Sequence, residues 1–476
     1  MNRRDFCKTT GIGFLAAGFS PASAAFGQGS SFSGQRPAPA DRKFVSPVVE
    51  KQIETVSKRI ADADLRHMFR ICYPNTLDTT VSFEIIDGKP DTYVITGDID
   101  AMWLRDSSAQ VYPYLPLIRQ DNRLRDLIRG VINRHAKFVL LDPYANAFYK
   151  DPDQKSEWES DAPAPGRGVH ERKWEVDSLC YVVRLAHAYY RQTNDLTPFD
   201  ADWLRAMKLI YSTFVTEQRK DGTSPYYFRR RTDVMIDAPP HGGKGNPLKP
   251  VGLIASMFRP SDDATTLPFL IPSNIFAALS LRQLAELVSK LQNEADFALK
   301  CIALAKEIES AVRRHAIFPH AGFGRIYAYE IDGFGNRLFM DDANVPSLMS
   351  LRYLGAVAPR DPVYLATRRF LLSDANPYFL RGKAAEGQSS PHTGRNAIWP
   401  MGIILRAMTA DSETEVRNCL SMLKRTTAGT GFMHESFDKD DASKYSRSWF
   451  AWANTLFGEL IVNLADADYR FSYFGF

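Results

Sequence analysis

Cysteine is scarce in this chain: five in 476 residues, one of them (Cys7) inside an N-terminal segment with the features of a leader. The other four, Cys72, Cys180, Cys301 and Cys419, are far apart and lie in apolar surroundings. No pair has C-x-x-C spacing, so neither a zinc site nor a dithiol redox motif is indicated, and buried free thiols are expected, with disulfides as the alternative. An excess of one charge is lacking too. The formal net charge is +4, and residues 1–24 carry Arg3, Arg4 and Lys8 against Asp5, or +2, leaving +2 for the rest. That balance gives no electrostatic basis for binding nucleic acid or an anionic membrane. Long hydrophobic runs are missing as well: the stretch Ile12 to Phe19 is far short of the roughly 20 residues a bilayer requires, and no later run is long enough. Also absent are G-x-S-x-G, the Walker A pattern, the dinucleotide glycine fingerprint and H-E-x-x-H. Acid–base work by carboxylates is what remains, and glycoside hydrolysis is its commonest form.

The N-terminus, MNRRDFCKTTGIGFLAAGFSPASAAFGQG, sets paired arginines before a short apolar run and Ala22-Ser23-Ala24, a small-residue cleavage pattern. Arg3-Arg4-Asp5-Phe6 resembles a twin-arginine export signal, with an ordinary secretory signal as the alternative. The expected organisation is an export signal over residues 1–24, a flexible leader over 25–43, and one domain from 44 to 476. The expected location is outside the cytoplasm, in the periplasm or at the cell surface.

Helical periodicity dominates that domain. Apolar residues recur at spacings of three and four through Val48–Cys72, Asn122–Leu141, Asp177–Thr193, Asp202–Gln218, Asn274–Leu291, Glu294–Ala316, Val363–Ser373, Thr414–Thr427 and Ser446–Ala465. With further helices expected after Asp106, near Pro346 and near Ile398, the total approaches twelve. Two stretches read as β-hairpins: Val81–Gly97, turning at Asp87-Gly88, and Gly324–Met340, turning near Asp332-Gly333. No strands alternate with helices, which argues against a parallel sheet. The expected fold is all-α, a toroid of helical hairpins with small β-hairpin insertions.

Several loops just before helices combine aromatic and charged residues, a pattern that a site explains better than packing does. GDIDAMWLRDS contains Asp98, Asp100, Trp103, Arg105 and Asp106; ERKWEVDS contains Glu171, Trp174, Glu175 and Asp177; HTGRNAIWP contains His392, Arg395 and Trp399. A sugar needs acceptors for its hydroxyls, an arginine fork and an aromatic face for its C–H surface. Any single cluster could instead be a buried ion-pair network. FRPSDDATT places Asp262 and Asp263 after Arg259. Neighbouring carboxylates point apart, so one can face a cleft while the other holds Arg259 or caps a helix. GFMHES places Glu435 between His434 and Ser436, as a carboxylate tuned by an aromatic surround, as a cap of the next helix or as the partner of Arg447. Asp438-Lys439-Asp440-Asp441 matches the D-x-D-D of helical terpene cyclases. It lacks the glycine and terminal glutamate of a calcium loop, and a solvated turn is the preferred reading.

Taken together, GDIDAMWLRDSSAQVYPYLPL, ERKWEVDSLCY, FRPSDDATTLPFLIPSN, RNAIWPMG and FMHESFDKDDASKYSRSWFAWANTLFGELI resemble glycoside hydrolase family 125, the bacterial metal-independent exo-α-1,6-mannosidases. The resemblance runs from about Phe44 to the C-terminus. It implies an (α/α)6 barrel and inverting hydrolysis of terminal, non-reducing α-1,6-linked mannose from mannan or N-glycan-derived oligosaccharides. It implies no cofactor and no metal. It also implies that an aspartate of the SDDA motif, Asp262 or Asp263, is the general acid and that Glu435 is the general base, with Asp262 favoured for its proximity to Arg259. Substrate contacts are expected from Trp103, Arg105, Asp106, Trp174, Glu175, Asp177, Arg259, His392, Arg395 and His434, with Asp98 and Asp100 orienting Arg105 from behind. The rival readings are an inverting exo-glycosidase of other specificity on the same barrel, of the glucoamylase or trehalase kind, and a non-catalytic mannan-binding envelope protein.

Overall fold

The computed structural model describes residues 30–466. The expected export signal lies outside them. Among the described residues, twelve helices have eight residues or more. They are α1 (Pro47–Ser57), α2 (Ala63–Cys72), α3 (Leu104–Val111), α4 (Asn122–Leu141), α5 (Val176–Thr193), α6 (Ala201–Glu217), α7 (Ile271–Val288), α8 (Ala295–His315), α9 (Pro362–Leu371), α10 (Pro400–Met408), α11 (Glu413–Arg425) and α12 (Ala451–Ala465).

Their contacts close a ring. Helix α3 packs on α5, α5 on α7, α7 on a 3-10 turn at Met349–Leu351, that turn on α10, α10 on α12, and α12 back on α3. Around it, α4 packs on α5 and α6, α8 on α7, α11 on α10, and α2 on α12. Tyr364 of α9 donates from its hydroxyl to Met349 O at 2.9 Å. This is the expected (α/α)6 barrel, with one inner position filled by a 3-10 turn where a full helix near Pro346 was expected. The Asp341 carboxylate accepts there from Leu348 N at 2.8 Å and Met349 N at 3.0 Å, capping the short turn.

The two layers start their helices by different means. Six outer helices begin at a side-chain cap: Ser46, Asp62, Asp121, Asp200, Asp361 and Ser412. Each oxygen satisfies an N–H that the helix itself cannot. The inner helices α3, α5, α7, α10 and α12 begin at Trp103, Glu175, Leu270, Trp399 and Phe450, and none has a side-chain cap. Distant groups take over that role: Leu104 N donates to Asn146 O (3.1 Å), Val176 N to Ser256 Oγ (3.3 Å) and Ile271 N to Tyr329 O (2.8 Å). The starts of the inner helices therefore bring together the loops that hold the charged and aromatic clusters.

Short antiparallel ladders brace those loops. Met102–Trp103, Ala147–Phe148 and Val169–Glu171 form one three-stranded sheet, and Ala397–Ile398 pairs with Phe437–Asp438. Val81–Ile86 and Lys89–Val94 form the expected hairpin, with Asp87 and Gly88 at positive φ in its turn. The second expected hairpin divides. Gly324–Tyr327 pairs back with Ile317–His320, while Glu330–Ile331 pairs with Arg337–Leu338 and with Phe269–Leu270. Its turn at Asp332 is held by that carboxylate, which accepts from Phe334 N (2.8 Å) and Asn336 N (3.1 Å).

Three more expectations are corrected. The helix expected over 48–72 breaks into α1 and α2, because Asp62 caps a new helix. Residues 446–450 precede α12 as a loop. The flexible leader expected over 25–43 is, from residue 30 onward, tied down: Gly34 N donates to Thr430 O at 2.9 Å, and Arg36 pairs with Glu50 and Asp78. The four described cysteines are buried and free, as expected, and no helix of the described residues is long and apolar enough to cross a membrane.

Candidate active site

The site assembles at the N-terminal end of the inner ring. Arg105, in the first turn of α3, is buried and has four carboxylates around its guanidinium. Nη1 lies 2.5 Å from Glu175 Oε2 and 3.6 Å from Asp177 Oδ2; Nη2 lies 3.1 Å from Asp262 Oδ1; Nε lies 3.4 Å from Asp106 Oδ2. Ser178 Oγ donates to Glu175 Oε2 at 2.8 Å and Thr96 Oγ1 to Asp106 Oδ1 at 2.6 Å. Burial pushes the Glu175 carboxyl well above its ordinary range, and pushes Asp106 up as well. It holds Asp177 up at about 6, with Arg105 pulling against it. At Asp262 burial is again the largest influence and pushes upward, but the Arg105 and Lys173 charges and a hydrogen bond from Glu175 together outweigh it, so that carboxyl ends below its ordinary value.

Asp262 and Asp263 diverge as the sequence predicts. The loop is closed by Arg259 N donating to Asp263 O (2.7 Å) and Asp262 N to Arg259 O (2.9 Å). Asp262 sits at φ +67°, in the left-handed region that disfavours a residue with a Cβ, and such strain gathers at functional positions. Its carboxylate turns to Arg105 and Asn146, while that of Asp263 turns to His392, with Nδ1 at 2.9 Å from Oδ1. The Asp262 side chain keeps 14% exposure and that of Asp263 keeps 4%.

Glu435 occupies the third pole. Ser446 Oγ donates to its Oε2 at 2.9 Å, Arg447 Nη1 lies 3.5 Å from Oε1, and the side chain keeps 14% exposure. Arg447 also pairs with Asp98 and donates from Nη2 to Thr96 O at 3.3 Å. Glu435 and Asp262 are therefore joined by one run of contacts through Arg447, Thr96, Asp106 and Arg105. The pairing of Glu435 with Arg447, which the sequence offered as its plainer explanation, is present within the site.

Five of the residues expected to contact substrate lie outside the run of contacts from Asp262 to Glu435. Trp174 is in the core, with its indole N–H donating to Ala255 O at 2.8 Å and its ring edge-on to Tyr144. Arg259 is buried and committed to Glu330, 2.7 Å from Nε to Oε1, and approaches neither aspartate side chain of its own loop by hydrogen bond or ion pair. Trp103 is buried in a small cluster with Ala101, Ala147 and Tyr149, edge-on to His170. His434 is buried, stacked on Tyr445 at 3.9 Å between ring centroids, with Nδ1 2.8 Å from Arg447 O; burial lowers its pKa. Arg395 is exposed, without an ion-pair partner among the described residues. Asp98 orients Arg447 and not Arg105, and Asp100 is exposed. The D-x-D-D segment is a surface turn: Asp438 Oδ1 accepts from Asp440 N (2.9 Å) and Asp441 N (3.2 Å).

Residues that the sequence reading passed over complete the site. Asn146 Nδ2 lies 3.1 Å from Glu171 Oε2, 3.4 Å from Glu175 Oε1 and 3.3 Å from Asp262 Oδ1. Asp342 accepts from Ser390 Oγ at 2.9 Å; burial raises its pKa, and the charge of Asp263 adds to that. The MDDANVPS stretch repeats the paired-aspartate form of SDDA, and that was the available signal; Asn146, in an ordinary-looking LDPYANAF, had none. Around these groups, Asp106 Oδ2, Asp177 Oδ2, Asp263 Oδ2, Tyr329 OH, Ser389 Oγ and Arg447 Nε are buried without a hydrogen-bond partner among the described residues. Such capacity is costly in a core and useful in a site for a polyol. Among the described residues, no group of three or more His, Cys, Asp or Glu is placed to hold a metal ion.

Comparison with known proteins places these features in a family context. The family model described as metal-independent alpha-mannosidase (GH125) matches residues 62–462. The meiotically up-regulated gene 157 protein of Schizosaccharomyces pombe is 42% identical over 451 residues, covering 91% of this chain and 88% of that protein. A solved metal-independent α-mannosidase structure from Streptococcus pneumoniae, a non-productive complex with α-1,6-mannobiose, superimposes with a TM-score of 0.85 at 39% identity, over 89% of this chain and 100% of that one. A bacterial glucoamylase complexed with acarbose matches with a TM-score of 0.52 at 13% identity, over 87% of this chain and 57% of that one, a likeness of fold alone.

Proposed function

The chain belongs to the GH125 family of metal-independent α-mannosidases, and within that family we propose that it is an exo-acting, inverting α-1,6-mannosidase with Asp262 as general acid and Glu435 as general base. The observation that carries this reading is the run of contacts from Asp262 through Arg105, Asp106, Thr96 and Arg447 to Glu435, which fixes two part-exposed carboxyls from separate loops in one site. The α-1,6-mannobiose in the pneumococcal relative supports the linkage.

In this scheme Glu435, steadied by Ser446 and Arg447, takes a proton from water as the water oxygen bonds to the anomeric carbon. Asp262 delivers its proton to the glycosidic oxygen as that bond breaks. One displacement inverts the anomeric centre and releases β-mannose. Water must fit between base and sugar, which requires carboxyls roughly 6.5–9.5 Å apart. Asp262 fits the acid role better than Asp263, whose carboxylate is closed in against His392. Asp106, Asp177, Asp263, Tyr329 and Ser389 carry buried oxygens that have no hydrogen-bond partner among the described residues and that hydroxyls of the terminal mannose would satisfy. The substrate is a mannose-ended oligosaccharide derived from mannan or N-glycans. The twin-arginine-like N-terminus supports export to the periplasm or cell surface.

Proton NMR of the protein with α-1,6-mannobiose in EDTA tests this directly. Early β-mannose is expected. Early α-mannose means retention and removes the assigned roles, and no cleavage in chelator rejects the reading.

A further inference from the structure

A general acid must carry its proton at working pH, yet Asp262 lies 3.1 Å from a permanently charged guanidinium that favours its ionised form. Something beside it has to keep the proton in place. Resting on the mannosidase reading above, we propose that Glu175 is the positioning residue of the acid step, sharing a single proton with Asp262 across the Arg105 and Asn146 side chains.

The geometry puts the two carboxyls side by side. Arg105 reaches Glu175 through Nη1 (2.5 Å) and Asp262 through Nη2 (3.1 Å), and the Asn146 amide lies within 3.4 Å and 3.3 Å of the same two residues. The donors do not suffice for two carboxylates. Asn146 has two N–H groups facing three carboxylate residues, Glu171 at 3.1 Å being the nearest. Arg105 divides its one charge among Glu175, Asp262, Asp106 and Asp177.

The other cations facing this group are committed. Lys173 Nζ is 2.7 Å from Asp237 Oδ1 and 3.5 Å from Glu171 Oε1, and gives Asp262 only a bond to its backbone carbonyl, at 2.8 Å. Arg447 holds Asp98 and Glu435. Four carboxyls crowded around one guanidinium, three of them buried, cannot all be ionised, so at least one proton stays. Burial draws it toward Glu175, and a hydrogen bond between Glu175 and Asp262 lets it cross. Carboxyl pairs that share one proton are an established means of keeping an acid charged with its proton near neutral pH.

The step balances. The pair gives one proton to the glycosidic oxygen as the C–O bond breaks, and water gives one to Glu435 as the new bond forms. Afterwards the pair regains a proton from solvent and Glu435 releases one.

The test compares wild type, Glu175→Gln and Asp262→Asn on α-1,6-mannobiose and on 2,4-dinitrophenyl α-mannoside, whose leaving group needs no proton. The amide introduced by Glu175→Gln would donate to Asp262 without supplying an acidic proton, so Asp262 would ionise at lower pH. Glu175→Gln is expected to lose about 10²-fold or more in kcat/KM on mannobiose, within the usual range for general acid catalysis, and less than about 10-fold on the aryl glycoside. The alkaline limb of its mannobiose profile should move to lower pH. Glu175→Asp withdraws the carboxyl by one methylene and carries the same comparison if the glutamine variant does not fold. Equal losses on both substrates with an unmoved alkaline limb would overturn the proposal and leave Glu175 a structural role. Wild type that cleaves neither substrate, or that releases α-mannose, defeats the mannosidase scheme itself, an outcome distinct from the behaviour of Glu175.

Discussion

Arg105 Nη2 and Asp262 Oδ1 meet at 3.1 Å across 157 positions of sequence. One residue lies in the first turn of an inner helix, and the other in a strained loop leading into a second inner helix. The contact locks the loop carrying the proposed acid to the barrel frame, so the acid's position depends on the ring and not on local loop conformation. The same guanidinium is the reason that its protonation needs help.

Replacing Arg105 with alanine therefore affects stability as well as turnover. Removing one partner of a buried ion network typically costs about 3–5 kcal/mol, moderated here as the four carboxyls take up protons. Chemical denaturation should show a loss of about 3 kcal/mol. Mannobiose hydrolysis should fall at least about 10²-fold. Wild-type stability with normal kinetics would remove Arg105 from both roles.

Glu435→Ala should lower kcat on mannobiose and on the aryl mannoside alike, by about 10³-fold, since the base acts on water whatever the leaving group. Azide, which needs no deprotonation, should restore turnover on the aryl substrate and yield β-mannosyl azide, visible by NMR. Rescue giving the α-azide would contradict inversion.

The outer layer was legible in the sequence because its helices carry apolar stripes of period 3.6 and, α8 excepted, start at Ser or Asp caps; α4 begins and ends at the predicted residues, Asn122 and Leu141. The inner layer was less so. Helix α12 begins at Ala451 and not Ser446, because Phe450 has no capping group and a tertiary bond, Phe450 N to Met433 O at 2.9 Å, sets the entry. Within the site, the acidic and basic residues clustered near one another in sequence were found, but their pairings were not. Arg259 lies three residues from Asp262 in the chain and bonds to Glu330 instead. Trp174 shares a segment with Glu175, yet the opposite facing of successive side chains sends the indole into the core and the carboxylate to Arg105. Asn146 contacts three acids that come from two other loops.

Asp177 gives a pH dependence of stability. Its folded pKa, raised mainly by burial, is about 6 against an ordinary 3.8. The folded state thus holds its proton more tightly than the unfolded chain does. The contribution is fully present below pH about 4 and is lost as pH rises to about 6 and beyond. Asp177→Asn should flatten the wild-type decline in that window, measured as denaturant midpoints across pH. An unchanged slope would mean that the Asp177 carboxyl is ionised throughout.

Asp263 separates the two aspartates of the SDDA motif. Its Oδ1 is held 2.9 Å from His392 Nδ1, while Oδ2 is buried and unpartnered among the described residues. That free oxygen suits a sugar hydroxyl, and the near closure of the side chain leaves little room for a leaving group. Asp263→Asn should raise KM for mannobiose by about 10-fold, in line with about 1.4 kcal/mol for one lost hydrogen bond to a charged acceptor. Its kcat should fall less, and the ratio between mannobiose and dinitrophenyl mannoside should stay near wild type, because no proton donor has been removed. Asp262→Asn should instead lose mannobiose activity selectively. If the selective loss follows Asp263→Asn and spares Asp262→Asn, the acid is Asp263, His392 becomes its proton partner, and the strained φ of Asp262 serves only to hold Arg105.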